Sequence, residues 1–255
     1  MYNTLRTELY KLKLNRAFWL ILLLSIVLNS LMHYLAISGW WQIYNTPYDA
    51  AGLSEMNGMS MFMTPLFFNL MIGTLAAFFI STEFSATGVI KNQIISGQSR
   101  KIIYFSKYFV YTLASLLIVV ITPLVTGIII NILLGNIHVF TLDSLAYLLT
   151  SSSLYVLQLT AYTAIITLLA IVTNDSGKTI IFSILFTIIM YVVEKVPIFD
   201  FVELVYDYSI FQQFNLVLFP DLDTSSLITS LIVGFVYLFA FLILGMFVFS
   251  KKEIK

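Results

Sequence analysis

Residues 17–38 read AFWLILLLSIVLNSLMHYLAIS, with no Asp, Glu, Lys or Arg among them. A bilayer core about 30 Å thick is crossed by about 20 helical residues at roughly 1.5 Å each. In hydrocarbon every backbone N–H and C=O must find its partner inside the segment, so such a run is a helix. A barrel strand would instead alternate in polarity over about ten residues, and runs such as 116–121 and 239–246 do not alternate. Segments 59–80, 108–134, 145–172 and 227–249 read like the first, and 179–194 is a shorter sixth. The sequence predicts an all-α polytopic membrane protein with six transmembrane helices.

Composition agrees. Of 255 residues, 60% are hydrophobic and 10% charged, against roughly 45–50% and about 25% in a soluble domain. So few charges cannot cover so apolar a chain in water. Thirteen Lys and Arg against thirteen Asp and Glu leave no basic excess for nucleic acid. Cysteine is absent, and His33 and His138 are the only histidines, which excludes thiol chemistry and leaves little for a metal site.

Sidedness follows from the positive-inside rule. With both termini in the cytoplasm, six spans place twelve of the thirteen basic residues on the cytoplasmic side, and only Lys195 falls outside. Nine of the thirteen acids fall outside. Removing any one helix would invert every later loop. A cleaved signal peptide is excluded, because its apolar core runs about 7–15 residues and the first span is longer.

Residues 1–16 precede a single six-helix domain, 17–255. Tyr2, Leu5, Leu9 and Leu12 share a helical face, which predicts a basic amphipathic helix in the headgroup plane. A plain start to the first span is the alternative. Residues 81–107 form the longest cytoplasmic segment. Phe84, Val89, Ile90, Ile94 and Ile95 can make one face of a short helix there, punctuated by Gly97 and Ser99. Periodicity alone leaves it open between a partner-binding helix and a solvated loop. Residues 174–178 make a small cytoplasmic turn, and the basic stretch 251–255 anchors the last helix. Outside, 39–58 carries an aromatic belt of Trp40, Trp41, Tyr44 and Tyr48. Residues 195–226 are too polar to span and too apolar for a free loop, which predicts a re-entrant segment from the outer side between helices 5 and 6. A loop folded over the helix ends is the alternative.

No catalytic constellation is present. Ser176-Gly177-Lys178-Thr179 resembles the end of a phosphate loop, but Val172 stands where the motif needs its first glycine. No carboxylate, Lys or Arg lies in mid-span, which argues against ion-coupled transport. Pro65 and Pro123 sit inside predicted helices and should kink them.

This layout resembles the ABC-2 type permeases, the membrane subunits of type V ABC transporters. Glu8-Leu9-Tyr10-Lys11-Leu12-Lys13 followed by Phe18-Trp19 is similar to that family's opening. The run Glu83-Phe84, Gly88-Val89-Ile90-Lys91-Asn92, Ser96-Gly97-Gln98-Ser99-Arg100 and Lys107 resembles its loop after span 2, with Val89 where Thr is commoner. In size and style the chain is most similar to permeases of bacitracin and lantibiotic immunity exporters.

The resemblance implies a permease without its own motor, in a bacterial cell membrane. ATP and Mg would be bound by a separate ABC ATPase subunit, two copies per complex, and no cofactor by this chain. A second permease, the same or different, would complete the pore. The 81–107 loop would be the coupling helix docking on the ATPase. Glu83, Lys91, Asn92 and Arg100 would make polar contacts, Gly88 and Gly97 would punctuate the helix, and Ser96, Asp175 and Lys178 would lie on the same surface. Spans 2 and 5 would line the pathway, with Asn69 and Thr187 as candidates; helix–helix hydrogen bonding is the other role open to them. Membrane lipid and an amphipathic peptide or hydrophobic compound are the expected partners. A membrane protein that sequesters a peptide without ATP is the competing function.

Overall fold

The computed structural model describes residues 2–41, 43–84, 88–196 and 200–253, without the side chains of Tyr2 and Asp200. It is 84% helix with no strand among the described residues, and six of its helices are long and apolar enough to cross a membrane. Among the described residues the bundle has a basic end, holding 2–16, 81–84, 88–107, 174–178 and 250–253, and an acidic end formed by the intervening connections.

Helix α1 (Tyr2–Leu14) stops at Asn15, whose side chain caps α2 (Arg16–Ile37) by accepting from Phe18 N at 3.0 Å. The face of α1 turned inward is Thr4, Glu8 and Leu12, spaced four apart. Leu9 is exposed, so the predicted apolar stripe does not all pack on the protein, and Tyr2 carries no described side chain. At the acidic end come α3 (Pro47–Ala50), a 3-10 turn, and α4 (Gly58–Met63). Trp40, Trp41 and Tyr44 are exposed as a belt requires, but Tyr48 is buried, its hydroxyl 3.0 Å from Met63 Sδ.

The second span is broken where a kink was expected. Thr64 takes extended backbone (φ −73, ψ 133), as the residue before proline prefers, and Pro65 starts α5 (Pro65–Phe79). With the 3-10 turn Ser81–Phe84, the span runs Pro65–Phe84 instead of 59–80. After α6 (Val89–Ile95), the third span begins at Arg100, two turns before its predicted start. It comprises α7 (Arg100–Leu116), a π turn Leu117–Ile121, and α8 (Thr122–Leu133). The π turn lies just before Pro123, which has no N–H to give the preceding ladder.

Helix α9 (Leu142–Thr173) is followed by α10 (Ser176–Lys195). Asp175 caps α10 by accepting from Lys178 N at 2.8 Å. The cap adds a turn to the predicted 179–194, so α10 reaches about 30 Å and matches the bilayer core. Beyond it, α11 (Asp200–Asp207) and α12 (Ile210–Leu216) lie at the acidic end. Pro197, Ile198 and Phe199 fall outside the described residues, as do 85–87, Ile254 and Lys255. Phe214 of α12 packs its ring 5.0 Å from Phe68 and 5.1 Å from Tyr155, plugging the bundle between spans 2 and 4. Helix α13 (Thr224–Lys251) is capped by Asp223 and closes the fold.

Candidate functional site

The basic end holds a buried ion network. Glu8 from α1 accepts from Lys107 Nζ at 3.0 Å and from Lys11 Nζ at 2.7 Å. Glu83, ending the second span, pairs with Lys107 and with Lys11, the latter at 3.0 Å. Gln93 of α6 donates to Glu8 at 2.9 Å. Two carboxylates and two ammoniums thus cancel, which is what allows them out of water. Burial pushes the Glu8 carboxyl up, but the Lys107 and Lys11 charges and the Lys11 and Gln93 hydrogen bonds more than offset it, leaving it below the ordinary value. The network ties α1, α6 and the basic ends of spans 2 and 3 into one body.

That body presents α6. Gly88 starts the helix in the left-handed region (φ +59) and Gly97 ends it there (φ +85), both conformations that suit glycine. Gln98 N bonds Gln93 O at 3.2 Å and Gly97 N bonds Ile94 O at 3.0 Å, a Schellman close. Ile90 and Gln93 face inward, whereas Lys91, Asn92, Ile95 and Ser96 face out. Ile95, predicted on the apolar face, is 73% exposed.

The remaining predicted coupling residues divide. Asp175 and Lys178 are exposed in the neighbouring turn. Glu83 is engaged in the ion network. Arg100 Nη1 donates to the carbonyls of Phe249, Ser250 and Lys252, at the end of α13. Their charges are committed within the chain, and the outward surface is left to Lys91, Asn92 and Ser96. Sequence reasoning passed over Glu8, Gln93, Lys107 and Lys252 as site residues. A signal for two existed: Glu8 opens and Lys107 closes the stretches that carry the resemblance.

Asn69 and Thr187 do come together. Tyr162 Oη donates to Asn69 Oδ1 at 2.8 Å and lies 3.2 Å from Thr187 Oγ1, while Asn69 Nδ2 donates to Ser183 O at 2.8 Å. Both are buried between spans 2, 4 and 5. Thr187 also lines a cavity of about 220 Å³ toward the acidic end, with Thr64, Tyr191, Glu194, Tyr206 and Asn215 among its walls. Asn69 is not among its walls. Among the described residues no group of His, Cys, Asp or Glu is placed to hold a metal.

A family model described as ABC-2 family transporter protein matches residues 4–194 of the 255. The match covers α1, the ion network and the first five spans. No curated protein and no solved structure matches the chain. Permeases of this family are transport membrane subunits, not themselves catalytic, and normally work with an ABC ATPase partner. The chain belongs to the ABC-2 family of transporter proteins.

Proposed function

We propose that this chain is the membrane-spanning permease subunit of an ATP-driven exporter in a bacterial cell membrane, with its basic end in the cytoplasm. The carrying observation is the outward surface of α6, with Lys91, Asn92 and Ser96, mounted on a buried ion network that reaches three other elements. A separate ABC ATPase docks there, with Asp175 and Lys178 beside it. Two ATPases bind ATP and Mg, and two permeases, identical or different, form the path. Closure of the ATPases pushes α6. Because Gln93, Glu8, Glu83 and Lys107 are cross-tied, α1 and spans 2 and 3 tilt with it. Leu9, Tyr10 and Leu14 of α1 stay exposed and offer an apolar side to the headgroup boundary. Helices α11 and α12 form the outer plug, the place assigned to the re-entrant segment.

The cargo is an amphipathic peptide or a hydrophobic antimicrobial, since no mid-span charge exists to hold a charged solute. Spans 2 and 5 are the lining elements, with Thr187 on the cavity and Asn69 behind it. Affinity purification of the tagged chain from its host tests the reading. A P-loop ATPase should come with it, and vesicles holding both should export cargo only with ATP. A chain that purifies alone and confers resistance without ATP would be a sequestering protein, and the proposal would be wrong.

A further inference from the structure

The ion network fixes one side of the coupling segment 88–99. A second fixing, formed from different residues, lies on the other. Arg100, in the first turn of α7, donates to Phe249 O at 3.2 Å, Ser250 O at 3.1 Å and Lys252 O at 2.5 Å. These carbonyls end α13, where helix geometry leaves acceptors without partners and the dipole is negative. Lys252 in turn reaches back, donating to Ile171 O and, at 3.4 Å, to Val172 O in the last turn of α9. Each cation therefore closes the C-terminal end of another span.

Apolar contacts seat the same joint. The Phe249 ring is buried between Phe84 at 5.9 Å and Tyr104 at 6.3 Å, and Lys252 Nζ stands 5.5 Å over the Phe84 ring. Gly245 meets Tyr104 so closely that a Cβ there would collide with the Tyr104 hydroxyl. In its basic half α13 buries only Gly245 and Phe249, both in this joint, which is therefore a main hold on that end.

We infer that Arg100 and Lys252 form a two-step clasp that carries displacement of the coupling segment into spans 6 and 4. This deepens the permease reading and rests on it. The ion network moves α1 and spans 2 and 3, and the clasp recruits spans 6 and 4. Arg100 is then a positioning residue, not an ATPase contact, and residues 250–252 belong to the coupling machinery.

The chain has no cysteine, so spin labels at Lys91→Cys and Glu253→Cys report one distance in the full-length protein in lipid vesicles. Both positions are exposed. The clasp predicts a single narrow distance distribution, broadened by Arg100→Gln and by Lys252→Met and narrowed again by Lys252→Arg. With the ATPase present and Lys91 and Glu253 left unchanged, cargo moved per ATP hydrolysed should fall about tenfold in either loss variant at unchanged yield of complex. Lys252→Met leaves the carbonyls beneath Arg100 intact and serves if Arg100→Gln does not fold. An unchanged distribution in the variants, or wild-type coupling in them, overturns the clasp. If the wild-type chain purifies without an ATPase, the permease reading fails and its relay role with it, while the distance measurement still decides the clasp.

Discussion

Glu8 and Lys107 lie 99 positions apart in the chain and 3.0 Å apart in the fold. Their side chains are 0% and 4% exposed, so the pair joins an N-terminal helix to the third span without solvent screening. Removing Lys107 leaves two carboxylates on Lys11 alone, and removing Glu8 leaves one carboxylate between two ammoniums, so either loss leaves an uncompensated charge in a largely dry site.

Lys107→Met and Glu8→Ala should each lower stability by about 3–5 kcal/mol. Lys195→Met makes the same charge change at a pair whose lysine is 58% exposed, and should cost about 1 kcal/mol or less. Thermal unfolding of the three purified variants in one detergent checks the contrast. Equal losses would mean that the network is not buried.

The network also sets a pH dependence. The Glu8 carboxyl sits below its ordinary value of 4.5 in the fold. A depressed carboxylate contributes stability that is fully present above the unfolded value and lost as pH falls through the folded one. Stability should therefore drop as pH falls below about 4.5. Glu8→Gln should lose that part of the drop in a melting series from pH 7 to pH 3, and an unchanged slope would contradict it.

Gly73 and Ser183 bring spans 2 and 5 together. A Cβ on Gly73 would stand 2.5 Å from Ser183 Oγ. Gly73→Ala should cost about 1–3 kcal/mol through overpacking. Ser183→Ala removes the colliding oxygen, so the double variant should recover much of the loss, read as a positive coupling in a double-mutant cycle.

Lys91 is the test of the outward surface. Lys91→Glu places a reversed charge at the proposed ATPase contact while touching no buried residue. It should leave the melting temperature within experimental scatter and reduce co-purified ATPase at least about tenfold. Loss of stability with retained ATPase would assign Lys91 to the fold.

The six spans were legible because a bilayer demands long charge-free runs, and 17–38 is one on its face. A short helix ending near Gly97 was legible as one of two readings of this segment, but its start was not: Phe84, drawn on its apolar face, lies in the preceding 3-10 turn and α6 begins at Val89. Its orientation was not: Ile95 faces out and polar Gln93 faces in, because a carboxylate 85 positions away awaits it. Pairing at that range leaves no periodic trace. Pro65 promised a kink, but the sequence did not say that Thr64 would leave the helix altogether. Arg100 was expected to contact the ATPase, because the carbonyls that receive it belong to residues about 150 positions along the chain and leave no local trace.

Sidedness is the claim on which coupling stands, and single cysteines in this cysteine-free chain measure it. Lys91→Cys on α6 and His138→Cys at the acidic end are each treated with a membrane-impermeant thiol reagent in intact cells. The account predicts labelling of position 138 in intact cells and of position 91 only after permeabilisation. Labelling of position 91 from outside would put the ion network and α6 beyond the reach of any ATP-driven partner and contradict the account.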